Sequence, residues 1–364
     1  MLFLLPDLAA GGAQRVMLTL LRHLDRARFE LSLAVIDMSR ANMRGDLPSD
    51  VEPIDLCCTR VRHAMPRIAR LVWLRRPDVV FSTLGHLNLA LALMRPLLPH
   101  RTRYVARETV VVSEIVKEYA HPIWWRLAYR ACYRWFDRIV CQSRDMLEDL
   151  EENFALPRGE AVVIHNPVDV ERIAELATEP LPVGAAFPTA DASGRPYVHL
   201  VAAGRLVRQK GFDILIEALA HCANDRFHLT LLGEGPLRET LERLARDCGV
   251  GERVWFAGHR TNPYAYFARA DAFVLSSRFE GFPNVMVEAM ACGTRVVATP
   301  APGGVDEIAA STPECIVAAE ISAKSLALAL DSLGPTRRLT REAVAPYSVA
   351  TIVGKYAEEF EHSR

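Results

Sequence analysis

The chain has 364 residues, a formal net charge of −1, half its residues hydrophobic and 24% charged. That is about twice a common domain size in an ordinary globular composition, so two domains with separate cores are expected. The balanced charge offers no global basic field, which excludes nucleic acid as an expected partner.

The first segment, Met1-Leu-Phe-Leu-Leu5, is apolar but lacks a basic leader and runs into Pro6-Asp7 and a glycine pair. It reads as a first strand, not a signal peptide. Apolar runs predict further strands over 29–36, 78–82, 102–107, 138–141 and 161–164, with helical patterns at 13–24, 66–75, 85–94, 122–136 and 143–153. The second half predicts strands over 197–203, 227–232, 253–256, 271–275, 295–298 and 314–317, and helices over 211–222, 236–248, 284–292 and 322–333. Such alternation implies an α/β fold with two Rossmann-like, doubly wound parallel sheets. The longest uncharged stretch, Val79 to Met94, is too short and too polar to span a bilayer. None of the eight cysteines forms a C-x-x-C pair. Buried thiols in a reduced, cytoplasmic protein are expected, not disulfides or a zinc site.

The Pro-, Gly- and Ala-rich stretch 178–196 reads as a linker. It separates a first domain over 1–177 from a second over 197–345. A C-terminal helix over 346–364 follows, with the first domain as one place for it to pack. Ligands of open α/β sheets bind at the carboxyl ends of the strands, so two such domains are expected to face a central cleft.

The most informative segment is Ser276-Ser-Arg-Phe-Glu280-Gly-Phe-Pro-Asn-Val-Met-Val-Glu288-Ala-Met-Ala-Cys-Gly293. A strand ends, a polar loop follows, and a helix starts near Pro283, where proline's missing N–H costs nothing. The free N–H groups and partial positive charge of that helix start suit a diphosphate, placing Gly281, Phe282, Asn284 and Val285 at the ligand. Glu280 and Glu288 flank this anion site. Carboxylates repel phosphate, so they suit sugar hydroxyls on either side of it, a hexose and a ribose. Gly204-Arg205 follows a strand and Lys210-Gly211 opens the next helix. A forked guanidinium and a flexible ammonium together neutralise a diphosphate and stabilise a leaving group as it gains charge.

These segments resemble the Glu-x7-Glu pattern of family 4, or group 1, retaining glycosyltransferases of the GT-B fold. The likeness is closest to bacterial members that build surface polysaccharides and lipid-linked oligosaccharides. It extends to Gly11-Gly-Ala-Gln-Arg15, Ile164-His-Asn-Pro-Val-Asp169, Gly204-Arg-Leu-Val-Arg-Gln-Lys-Gly211, Gly233-Glu-Gly-Pro-Leu237 and Pro302-Gly-Gly-Val-Asp306. The resemblance implies retaining transfer of a hexosyl group from a nucleotide diphospho-sugar, a UDP-sugar first, to a hydroxyl on a glycan or lipid-linked saccharide. It gives Arg205, Lys210 and Glu280 catalytic roles. It places Gly11, Gly12, Gly204, Gly233 and His259 at the donor, together with the 280–288 segment; Glu288 is then the ribose partner. For Gly11-Gly12 a plain strand–helix turn is an equal reading, and for His259 a solvated loop. Many members carry a histidine at the end of a first-domain strand. Here that strand reads Tyr104-Val-Ala-Arg107-Glu108, with His86 in the preceding loop as the alternative acceptor-side group. The general base stays open.

No D-x-D tripeptide occurs, so no metal cofactor is expected, and Arg205 and Lys210 take over the charge work. The stretch 123–136 interleaves Arg126, Arg130 and Arg134 with five aromatic side chains besides its final Phe136. It reads either as an amphipathic helix with solvated arginines or as a peripheral contact with the inner face of an anionic membrane. A nucleotide-sugar epimerase of the same fold, or a nucleotide-binding module without catalysis, are the alternatives. Retention of Arg205, Lys210, Glu280 and Glu288 together argues against the second.

Overall fold

The computed structural model describes residues 1–9, 11–182, 194–334 and 338–361. The chain divides into two compact units. The first is built from residues up to Pro167 and from Val349 onward, and the second from Val168–Ser348.

The first unit contains strands β1 (Leu2–Asp7), β2 (Ser32–Asp37), β3 (Pro53–Asp55), β4 (Val79–Thr83), β5 (Arg103–Arg107), β6 (Arg138–Cys141) and β7 (Ala161–Val163). They form one parallel sheet in the order β3-β2-β1-β4-β5-β6-β7. A sheet covered on both faces needs strands that are apolar throughout, and Val79–Thr83 is buried at all five positions. One face packs the helices Val61–Arg75, Gly85–Met94 and Pro122–Cys132 around Ile68, Leu91 and Tyr129. The other carries the helices Gly12–His23 and Val349–Glu361.

The C-terminal helix repeats an apolar residue every fourth position, Ile352, Tyr356 and Phe360, all buried. The Phe81 ring lies 5.0 Å from Phe360 and 5.8 Å from Tyr356. Glu359, almost fully buried, accepts hydrogen bonds from Arg103 Nη2 at 2.5 Å and Arg138 Nε at 3.0 Å, so its charge is paired on both sides. These contacts tie the end of the chain to the first sheet.

The second unit contains β8 (Val198–Ala203), β9 (Phe227–Leu232), β10 (Val254–Gly258), β11 (Ala272–Leu275), β12 (Arg295–Ala298) and β13 (Ile316–Val317). They form a second parallel sheet in the order β10-β9-β8-β11-β12-β13. The division falls at Pro167/Val168, ahead of the boundary expected at 177. The helix Val170–Ala177 is the reason. Asp169 Oδ1 caps it through the Arg172 N–H at 3.0 Å, and it packs on the helices Tyr264–Phe267 and Asn284–Ala291 of the second unit. Most of the expected linker, 183–193, lies outside the described residues. The helical pattern over 122–136 runs only to Cys132 and tightens into a 3₁₀ turn over Tyr133–Trp135.

Candidate functional site

In the second sheet β8 lies beside β11, but the chain leaves β8 toward β9 on one side and β11 toward β12 on the other. The carboxyl edge between these two strands is therefore the topological switch point, the place where open α/β sheets bind ligands. The backbones of the loops after β8 and β11 are held together beside it. The Arg278 N–H donates to the Gln209 carbonyl at 2.8 Å, Ser276 Oγ to the Lys210 carbonyl at 2.9 Å, and Gln209 Nε2 to the Phe279 carbonyl at 3.0 Å. Gly211 sits at φ +60°, and a Cβ there would meet the Ser276 carbonyl oxygen at 2.0 Å, so only glycine allows this approach. Arg278 forks onto Asp213 at 2.8 and 2.6 Å. Burial raises the Asp213 pKa, but the guanidinium outweighs it and holds the carboxyl below its ordinary range.

Two of the candidate side chains meet across these loops. Lys210 Nζ lies 2.6 Å from Glu280 Oε1, and Ser277 Oγ donates to the same oxygen at 2.5 Å. Glu280 is only 5% exposed, and its backbone N–H donates to the Pro302 carbonyl at 2.8 Å. Both side-chain bonds fall on Oε1, which leaves Oε2 without a partner among the described residues. The ammonium carries three donors and spends one on Glu280. Arg205, at the end of β8, is exposed and its side chain has no hydrogen-bond or ion-pair partner among the described residues. The helix Asn284–Ala291 begins just past Pro283, and Glu288 is half-buried a little over one turn along it.

The first sheet has its own switch point, between β1 and β4. Asp7 ends β1, and its Oδ1 accepts from Gln14 Nε2 at 2.7 Å, spanning the glycine pair. After β4, Leu84 adopts φ +74°, a strained value for leucine, and Gly85 starts the next helix. A Cβ on Gly85 would sit 2.2 Å from the Tyr129 hydroxyl. This turn presents His86 at the surface. Partial desolvation lowers the His86 pKa, with Asp7 pulling against it, which favours the neutral imidazole.

The two polar groups ending β5 turn inward. Arg107 is fully buried; Nη2 donates to Asn166 Oδ1 at 2.6 Å and Nη1 to Thr83 Oγ1 at 3.2 Å. Glu108 Oε1 accepts from Asn88 Nδ2 at 2.8 Å and from the Tyr133 hydroxyl. Burial pushes the Glu108 carboxyl above its ordinary range despite those donors. Ser82 donates to Asn88 Oδ1 at 2.8 Å, and Asn166 Nδ2 to Gln142 Oε1 at 2.9 Å. The network joins the ends of β4, β5, β6 and β7 beneath the His86 turn.

Residues 197–334 match the family described as glycosyl transferases group 1, and residues 10–172 the family described as glycosyltransferase family 4. The chain belongs to these glycosyltransferases. It is 28% identical over 313 residues to a Campylobacter jejuni enzyme, N-acetylgalactosamine-N,N'-diacetylbacillosaminyl-diphospho-undecaprenol 4-alpha-N-acetylgalactosaminyltransferase, covering 83% of this chain and 81% of that protein. It is 35% identical over 178 residues to LpsE of Rhizobium meliloti, a lipopolysaccharide core biosynthesis glycosyltransferase, covering 49% of this chain and 47% of that protein. The structure of Anabaena HepE in complex with UDP superposes with a TM-score of 0.77 at 19% identity, over 100% of this chain and 99% of that one. The likeness shows the GT-B fold, which the glycosyltransferase shares with it.

Within that fold, the residues expected from sequence fall into groups. Lys210 and Glu280 are in contact; Arg205, Gly204, Gly281, Phe282, Asn284, Val285 and Glu288 lie on the loops and helix of the same switch point. Gly233 packs on that loop, where a Cβ would meet the Gly204 carbonyl oxygen at 1.9 Å. His259 follows β10 and is exposed. Gly11, Gly12 and His86 lie at the first switch point. Arg107 and Glu108, expected on the acceptor side, are instead interior: β5 lies between β4 and β6, and Asn88 and Tyr356 from two helices cover its end. Ser277, Gln14 and Asn88 were not singled out in the sequence. Only Ser277, three positions before Glu280, carried a local cue. Among the described residues no group of three His, Cys, Asp or Glu is placed to hold a metal ion, and no helix is long and apolar enough to cross a membrane.

Proposed function

We propose that the chain transfers a hexosyl group from a UDP-sugar to a hydroxyl of a glycan or lipid-linked saccharide in bacterial surface-polysaccharide synthesis, with retention of the anomeric configuration. The observation that carries the reading is the Lys210–Glu280 contact at 2.6 Å across the switch point, beside Arg205, whose side chain has no partner among the described residues. UDP is favoured because the HepE structure of the same fold holds it, and a lipid-linked acceptor because the Campylobacter relative is named for a diphospho-undecaprenol substrate.

In this reading Lys210 and Arg205 neutralise the diphosphate, and their attraction grows as the bond to the sugar breaks and negative charge collects on the leaving group. Glu280 holds the Lys210 ammonium in place through Oε1 and offers Oε2 to a hexose hydroxyl. Glu288 accepts from the ribose hydroxyls, and the N-terminus of the helix Asn284–Ala291 faces the diphosphate. Gly204, Gly233, Gly281, Phe282 and Val285 shape the donor site by close backbone approach. His259 is assigned to the base, and Gly11 and Gly12 to the donor phosphate. His86, neutral at the surface of its strained turn, is the acceptor-side polar group. Arg107 and Glu108 act from beneath by holding that turn. The two cations make a bound metal unnecessary to the proposed chemistry.

The test is product analysis with UDP-sugars and a lipid-linked saccharide as acceptor. The reading expects a glycosylated acceptor with the donor's anomeric configuration. A free epimerised sugar, or a product of inverted configuration, overturns it.

A further inference from the structure

Helices Val61–Arg75, Gly85–Met94 and Pro122–Cys132 lie side by side on one face of the first sheet. Their inward residues fill the core. Their outward residues are unusual for a surface. Of the large hydrophobic side chains exposed in the described residues, nine of twelve belong to these helices and the short turns that end the second and third. Trp124 is 72% exposed, Ile123 71%, Leu127 52% and Trp73 49%. Leu97, 74% exposed, receives Trp73 Nε1 on its carbonyl at 3.0 Å, which links the first helix to the end of the second. Isolated exposed apolar groups are ordinary; nine of them concentrated on three neighbouring helices mark a partner.

Charge identifies the partner. Residues 61–77, 79–107 and 119–136 contain no aspartate or glutamate. Exposed Arg70, Arg75, Arg76, Arg126, Arg130 and Arg134 stand among the apolar residues. A helix surface that only needs solvation mixes both signs; here a chain of net charge −1 has removed every carboxylate from three helices. Tryptophan prefers the boundary between acyl chains and headgroups, and arginine pairs with lipid phosphate.

We infer that these three helices together form the face by which the first unit docks on an anionic lipid bilayer, burying their outward apolar side chains at the headgroup boundary without crossing it. The inference deepens the lipid-linked acceptor reading and assigns the membrane contact to a three-helix face, of which the arginine row 126, 130 and 134 is one part. An enzyme that reaches a lipid-anchored sugar gains by being concentrated in the plane where that sugar lies.

Four of the five tryptophans, Trp73, Trp124, Trp125 and Trp135, lie on this face, so intrinsic fluorescence reports docking directly. The full chain is mixed with vesicles of phosphatidylcholine alone, or with about one third phosphatidylglycerol, free of nucleotide sugar and acceptor. Flotation and a blue shift with the anionic vesicles only, reversed by salt, are expected. Arg126→Glu/Arg130→Glu and Trp124→Ala/Leu127→Ala should each weaken binding by about tenfold or more, the first through charge and the second through apolar burial. Reversing Arg243 in the second unit should change nothing. Unchanged melting of each variant separates lost docking from lost folding. Equal binding to neutral vesicles, no binding to either, or concentration-dependent self-association abolished by the same variants overturns the inference; the last would make the face an interface between two copies. Because the vesicles hold no substrate, this result is independent of whether the donor-site assignment stands.

Discussion

The two switch points are built alike and equipped differently. In each, a glycine-bearing loop follows a central strand and a second loop follows the strand beside it. In the second unit the two loops carry opposite charges in contact, Lys210 and Glu280, with the exposed Arg205 on the same loop as Lys210. In the first unit an imidazole held toward its neutral form stands exposed near Asp7, and the ionisable Arg107 and Glu108 are turned into the core. The difference teaches that the same switch point can carry an opposed pair of charges or turn most of its ionisable groups inward; the proposed function reads the first as a diphosphate site and the second as an acceptor side. What decides is which side chains end the two strands.

The comparison breaks first on turnover. Lys210→Ala and Arg205→Ala should each lower kcat by about a hundredfold or more, because both act on charge that develops in the transition state. Steady-state rates with the correct donor check this. His86→Ala, which removes a neutral group, should cost less than either. A larger loss there would place the main electrostatic work in the first unit.

Next comes the scaffold of the charged site. Gly211→Ala drives a Cβ into the Ser276 carbonyl and should destabilise the fold by about 1–3 kcal/mol, seen as a lower Tm. A variant as stable as the parent would show that the loops are less tightly apposed.

The two carboxylates sharpen the donor assignment. Glu288→Ala should weaken bare UDP by about 1–3 kcal/mol in calorimetry, since it removes a hydrogen-bond acceptor from the ribose. Glu280→Ala should leave UDP affinity nearly unchanged while damaging turnover, because UDP has no hexose and the released Lys210 stays available to phosphate. Equal losses would overturn the division of roles.

The smallest effect separates the buried pair of the first unit from the charged pair of the second. Burial raises the Glu108 pKa, so the folded chain keeps a proton that the unfolded chain releases. That contribution to stability is present below the ordinary carboxylate pKa of 4.5 and is lost as pH rises through the folded value. Glu108→Gln should remove this decline, so its Tm should gain on the parent's as pH rises from 4.5 toward neutrality. A gap that does not change with pH would mean Glu108 is ionised in the fold.

Much of this was legible in the sequence because buried parallel strands are unbroken apolar runs. Val198–Ala203 and Phe227–Leu232 stand out at sight, whereas Pro53–Asp55 is three residues on a sheet edge with half-exposed side chains and gives no run to see. The helix Val170–Ala177 was hidden by the adjoining stretch that reads as linker. At the site, residue types and loops were visible but the meeting of Lys210 with Glu280 was not, because they lie 70 positions apart and only the sheet order brings them together. Arg107 and Glu108 misled for a related reason. Polar residues at a strand end suggest a surface, but the helices that bury them come from residues 85–94 and 349–361.

The most direct measurement is calorimetric titration of the intact chain and of Lys210→Ala with UDP. If the carboxyl edge between β8 and β11 holds the diphosphate, the parent binds and the variant loses about tenfold or more in affinity, having given up a cation and left Glu280 facing the phosphates. Equal UDP affinity in the two proteins would contradict the placement of the donor at this switch point.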